Sequence, residues 1–117
     1  MTFARQRYGA ESELRARRFL ESRGLTFEQG NAATPYGEID LVMRDQDVRV
    51  FVEVKARRSG AAGAPQEAVT SAKLRHIIES AEWIAANRAD ERPWRIDVVA
   101  VTPGRIEHLA NVTAGMV

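Results

Sequence analysis

Valines stand at every second position from Val48 to Val54, a period of two that predicts a strand with one side turned to a core. Phe51, Glu53 and Lys55 occupy the alternate positions and point the other way. The preceding segment Gly37-Glu38-Ile39-Asp40-Leu41-Val42 also has strand character, and the polar run Arg44-Asp45-Gln46-Asp47-Val48 supplies a turn between the two. A two-residue loop at Gln46-Asp47, or a four-residue one over 45–48, sets Asp40 opposite Glu53 and Glu38 opposite Lys55. Directly opposed residues have Cβ atoms about 4.5–5.5 Å apart. One face of this hairpin reads as apolar and the other as charged.

A helical period runs through residues 9–23, where Ala10, Leu14, Ala16, Phe19 and Leu20 fill an apolar arc and Gly24 supplies the stop. Glu13 falls inside that arc, one turn before Arg17. It either pairs with Arg17 at i,i+4 or reaches the hairpin's acids as a metal or water ligand. Residues 25–29 read as a short first strand and 31–36 as a loop around Pro35. The small-residue run 59–65 is a connector or a flap facing a substrate. Residues 66–88 carry the strongest helical pattern, with Val69, Ile77, Ala81, Trp83 and Ile84 around the inner side. Lys73 and His76 lie in or beside that arc. Lys73 either snorkels to solvent or projects its ammonium towards a bound phosphate, while His76 reads as packed or on the surface. After Pro93, residues 95–101 form a buried strand, 102–104 a turn and 105–109 a short edge strand. Strand, helix and strand across 48–101 predict a right-handed crossover with parallel pairing, hence a mixed sheet.

At 117 residues the chain is read as one domain, 1–117. The absence of cysteine excludes disulfide frameworks and cysteine-ligated zinc. No leader or spanning segment is visible, so a cytoplasmic location and no membrane partner are expected. A net charge of +1 does not by itself mark a nucleic-acid binder, so the distribution of charge matters more. Arginines crowd the first segment, and Lys55, Arg57 and Arg58 follow the acidic pair, within reach of phosphates flanking a cut site. Arg17, Arg57, Arg58 and Lys73 are the candidate nucleic-acid contacts.

Two opposed carboxylates repel unless something positive lies between them. Mg²⁺ takes hard oxygen ligands, usually one or two carboxylates with water and substrate phosphate. Asp40 and Glu53 fit that role, with the carbonyl of Val54 as a further ligand. Lys55 would then orient a nucleophile or stabilise developing charge. The plainer alternative is a surface Glu–Lys ion pair. Strong apolarity around Glu53 and helices on either side favour recessed charges, which need partners or a metal.

With Glu13, Asp40, Glu53 and Lys55 assembled, the chain resembles the restriction-endonuclease-like superfamily, whose pattern is an acid followed by Asp/Glu-x-Lys. More closely it resembles the YraN family of small bacterial proteins. The resemblance runs through Glu13-Leu14-Arg15-Ala16, Gly37-Glu38-Ile39-Asp40-Leu41-Val42, Val52-Glu53-Val54-Lys55-Ala56-Arg57, Glu67-Ala68-Val69 with Lys73, and Arg95-Ile96-Asp97-Val98-Val99. Departures fall at Ser12, Ile96 and Asn111-Val112-Thr113, which touch packing. The resemblance implies an α/β fold with an α-β-β-β-α-β core, a short final edge strand, and likeness to Holliday-junction resolvases. It implies Mg²⁺ or Mn²⁺ held by Asp40 and Glu53, Lys55 as catalytic lysine and Glu13 as first-helix acid. The expected activity is hydrolysis of DNA phosphodiesters, on branched or recombination intermediates, with a homodimer as a plausible assembly. The alternative is a non-catalytic nucleic-acid-binding module that retains an acidic metal pocket.

Overall fold

The computed structural model describes residues 2–57, 70–88 and 91–114, with side chains from Gly9 onward. Helix α1 (Thr2–Ser22) leads into strands β1 (Thr26–Thr34), β2 (Gly37–Asp45) and β3 (Val48–Ala56). Helix α2 (Ser71–Asn87) then precedes β4 (Trp94–Thr102) and β5 (Arg105–Leu109). The five strands form one sheet in the order β1-β2-β3-β4-β5. Its β3–β4 pair is parallel and the other three pairs are antiparallel. The fold is α/β with a mixed sheet between two helices, in the element order expected of a restriction-endonuclease-like core. Among the described residues no helix is long and apolar enough to cross a membrane.

Both faces of the sheet are covered, which corrects the expectation of one apolar and one charged hairpin face. On one side Ala16 and Leu20 of α1 pack on Leu41, Met43, Val50, Val52, Val99 and Val101. On the other, Ile77, Ala81 and Ile84 of α2 pack on Ala32, Ile39, Val42, Phe51 and Ile96. The alternating valines of β3 face α1, while Phe51 is buried under α2. Glu53 shares the side of Phe51 and is therefore recessed, with only 8% of its surface exposed.

Gly24 ends α1 at φ +96, and Leu25 N–H donates back to the carbonyl of Leu20, the reversal for which glycine is suited. The helix starts seven residues earlier than expected, at Thr2 rather than 9. Its buried line is Ser12, Ala16 and Leu20, spaced by four. Leu14, placed in the apolar arc by periodicity, is instead 43% exposed. Strand β1 also runs on to Thr34, through most of the segment expected to be a loop. Its side chains are mostly exposed and carry no period, so its extended state comes from pairing with β2. Residues 58–69, which include Arg58, the small-residue run and Val69, lie outside the described residues, and α2 begins after Thr70 caps it by accepting from Lys73 N–H at 3.2 Å.

At the far edge, Asp97 is fully buried and accepts from Arg95 Nε (3.0 Å) and from the backbone N–H of Asn111 (2.8 Å). His108 Nε2 lies 2.7 Å from the same carboxylate. Desolvation raises the Asp97 pKa, but the bonds to His108, Arg95 and Asn111 outweigh it and hold the group below the ordinary aspartate value. The chain after β5 is fastened by Val112 N–H to the carbonyl of Ile96 at 2.8 Å.

Candidate functional site

The hairpin closes through a two-residue turn and its ladder runs from Asp45↔Val48 to Leu41↔Val52, in the register expected from the sequence. Continuation of that ladder would oppose Asp40 to Glu53 and Glu38 to Lys55. The paired stretch ends instead at Leu41↔Val52, which corrects the expected opposition. The reason is local. Asp40 Oδ2 accepts the N–H of Val54 at 2.8 Å, so a side chain replaces the next backbone rung. The alternation of β2 also slips here, since Ile39 packs on the α2 side while Leu41 and Met43 pack on the α1 side. The two strands part at the acidic pair, and a cavity of about 520 Å³ opens beside it.

Tyr36, Gly37, Glu38, Asp40, Glu53 and Lys73 are among the residues lining this cavity, together with His76, Ile77 and Ser80 of α2. Burial first, then the hydrogen bond and charge of Asp40, push the Glu53 carboxyl up to about 8 against the partial relief given by Lys73. Near neutrality Glu53 keeps its proton and hydrogen-bonds the side chain of Asp40. Lys73 Nζ sits 3.6 Å from Glu53 Oε1 while half of its side chain remains in solvent. Lys73 thus reaches into the acidic cavity from the first turn of α2, which its outward reading did not require.

Glu13 extends from α1 to the same neighbourhood. Desolvation raises its pKa, the charges of Asp40 and Glu38 add to that, and a hydrogen bond from Asn31 opposes it. With its amide turned so that the nitrogen faces the two acids, the orientation that satisfies both of its ends, Asn31 donates to Glu13 Oε1 (3.2 Å) and Glu38 Oε1 (3.0 Å). Of the two sequence readings for Glu13, this is the one directed at the hairpin's acids. Arg17 turns elsewhere: its guanidinium lies 3.7 Å from the centre of the Phe27 ring and its Nε 3.4 Å from Glu21. Lys55 is half-buried on β3, paired in register with Ala100, and among the described residues it forms no ion pair. Arg57 is half-buried just beyond β3, with its N–H bonded to the carbonyl of Val101 at 2.8 Å. His76 is exposed at the cavity rim.

Periodicity overlooked Asn31 and the turn between β1 and β2, and it set Glu38 opposite Lys55 rather than at the cavity beside Asn31. Asn31 adopts φ +51, a conformation asparagine tolerates better than most residues, and it stands in β1 where a loop was expected. An asparagine beside Gly30 was the one available signal. Thr34 Oγ1 hydrogen-bonds Ser80 Oγ at 2.9 Å and donates to the Gly37 carbonyl at 2.7 Å, so the β1–β2 turn is tied to α2.

Among the described residues no three His, Asp or Glu side chains converge as a ready metal cluster. The oxygen donors gathered where β2 and β3 part are the carboxylates of Asp40 and Glu53 and a backbone carbonyl. In extended backbone a residue's N–H and carbonyl point to the same side. The Val54 N–H points at Asp40, so its carbonyl faces the same gap. Two carboxylates and a carbonyl, one carboxylate holding a proton that a cation would replace, are a donor set that fits Mg²⁺ or Mn²⁺.

A profile described as "Uncharacterised protein family UPF0102" matches residues 12–101, a span that holds Glu13, the hairpin, Lys73 and β4. A UPF0102 protein of Beutenbergia cavernae is 46% identical over 115 residues, covering 93% of this chain and 98% of its own length. Those of Anaeromyxobacter dehalogenans and Serratia proteamaculans are 44% and 43% identical, covering 89% and 88% of this chain and 81% and 91% of their own lengths. The chain belongs to the UPF0102, or YraN-like, family.

Proposed function

We propose that this protein is a metal-dependent endonuclease of the restriction-endonuclease-like superfamily that hydrolyses DNA phosphodiester bonds, acting on branched or recombination intermediates. The carrying observation is the break in the β2–β3 ladder, where Asp40 turns to the Val54 N–H and lines one cavity with the recessed Glu53. Buried acids held together in this way cost stability unless a cation joins them, and perturbed carboxylates in clefts mark sites of chemistry. Asp40, Glu53 and the Val54 carbonyl would hold Mg²⁺ or Mn²⁺. When bound, the ion supplies polarisation of a phosphoryl oxygen and a lowered pKa for water.

The remaining roles belong to the chain. Lys55, two residues beyond Glu53 on the same side of β3, donates to the attacking water or to a phosphoryl oxygen. Lys73, already drawn to Glu53, neutralises charge on the side of α2. Glu13, with a pKa raised by burial and by its acidic neighbours, accepts a proton from water at the edge of the site. Lys55→Ala is expected to abolish metal-dependent cleavage while leaving circular dichroism and thermal unfolding unchanged. Cleavage retained in that variant would remove Lys55 from the mechanism.

A second reading, a nucleic-acid-binding module without catalysis, is favoured by one observation: Asp40, Glu53 and Lys73 already satisfy one another without an ion. In that case Asp40→Ala should tighten nonspecific DNA binding at low salt by removing repulsion, and no DNA should be cut.

A further inference from the structure

Tyr36 is the one aromatic side chain, among those described, that stands largely in solvent, at 48% exposure. Its position is fixed. Tyr36 N–H donates to Thr34 Oγ1 at 3.1 Å, and Thr34 is bonded in turn to Ser80 of α2. Gly37 follows at φ +138, where a Cβ would lie 3.8 Å from Ser80 Oγ, so the turn sits close against the helix. An exposed ring on an anchored turn loses little conformational freedom when something stacks on it.

Tyr36 also divides two cavities. On one side is the acidic cavity with Asp40 and Glu53. On the other is a groove of about 340 Å³ lined by Tyr36, Trp83, Ala86, Glu79 and Glu82. That volume lies at the lower end of the range for small-molecule sites. Two carboxylates at its edges repel phosphate, and among the described residues neither is engaged in an ion pair. A nucleobase suits the groove better, because its flat face can lie on an aromatic ring while an exocyclic amine donates to a carboxylate.

We propose that Tyr36 and the Trp83 groove receive an unpaired base bearing an exocyclic amine, cytosine, adenine or guanine but not thymine, from the strand whose phosphate lies at Asp40 and Glu53. This rests on the nuclease reading and adds to it a substrate class: DNA with unpaired nucleotides at the cut, as in flaps. Thymine has no exocyclic amine to offer Glu79 or Glu82 and binds more weakly.

The test is fluorescence anisotropy with labelled short oligodeoxycytidine, oligothymidine and a blunt duplex, in Mg²⁺, on a Lys55→Ala background that prevents cutting. Stacking on one aromatic side chain is worth roughly 1–3 kcal/mol by alanine substitution, so Tyr36→Ala should weaken oligodeoxycytidine binding about fivefold to more than a hundredfold. Tyr36→Phe, which keeps the ring, should bind as the parent does, and duplex binding should be indifferent to both changes. Oligothymidine should bind less tightly than oligodeoxycytidine, with the difference lost in Glu79→Ala/Glu82→Ala. Equal oligodeoxycytidine affinity in Tyr36→Ala and its parent, equal affinity for the two oligonucleotides, or failure to bind either would overturn the proposal. Duplex cleavage by the wild type, lost in Asp40→Ala, would leave the nuclease reading standing even then.

Discussion

Glu53 is the residue on which the chemistry and the stability of this protein meet. Its folded pKa of about 8 lies above the ordinary glutamate value of 4.5, so between those two values the folded chain holds a proton that the unfolded chain has released. Stability must therefore fall as pH rises through that window, and the loss is complete above about 8. Glu53→Gln keeps a hydrogen-bonding side chain without the titration. In chelator-containing buffer its melting temperature should decline less than that of the wild type between pH 5 and pH 9, a range set by that same shift. Identical pH profiles for the two proteins would mean that Glu53 is not buried against Asp40 as described. Asp40 itself was legible in the sequence, because an acid in a strand opposite another acid is anomalous on its face. Asn31 was not. Its role depends on a φ of +51 that brings its amide between Glu13 and Glu38, and no one-dimensional pattern encodes that.

Elements were legible where burial imposes a period. Strand β3 announces itself by four valines facing α1, and the hairpin register follows from its turn. Strand β1 has a single buried residue, Ala32, and is held by its neighbour's backbone, so its length could not be read locally. The turn itself carries a small defect. Gln46, the first of its two residues, has φ +55, where an L side chain costs roughly 1–2 kcal/mol and glycine is free of that cost. After glycine's own entropic penalty, Gln46→Gly should stabilise the protein by about 0.5 kcal/mol, measured by urea unfolding. A loss of stability would mean that the Gln46 side chain holds the turn. At the opposite edge, Asp97 joins β4, β5 and the segment after them through Arg95, His108 and Asn111. Asp97→Ala leaves Arg95 without this partner and should cost about 3–5 kcal/mol. Because the folded pKa of Asp97 is depressed, its contribution is present above the ordinary aspartate value and is lost as pH falls through the folded one. Acid unfolding of the wild type should steepen there, and the steepening should be absent from Asp97→Asn.

In the molecule as a whole, α1 and α2 pack on opposite faces of the sheet, and a cavity opens where β2 and β3 part. α1 brings Glu13 to that opening from one side and α2 brings Lys73 from the other. The sequence marked Glu13 and Lys73 as out of place on their helices, but only the sandwich of helix, sheet and helix makes them neighbours of Asp40 and Glu53. On the proposed function, a net charge of only +1 is no obstacle, because local balance at the site matters more than the sum. The proposed function requires that this opening cut DNA. Purified protein should be incubated at low salt with linear, flapped and four-way-junction DNA, in Mg²⁺, in Mn²⁺ and in chelator, with Asp40→Ala in parallel. Cuts that require the metal, disappear in Asp40→Ala and favour the substrates with unpaired nucleotides are the expected result. DNA left intact by a folded wild-type protein in both metals, on every substrate, would contradict the account.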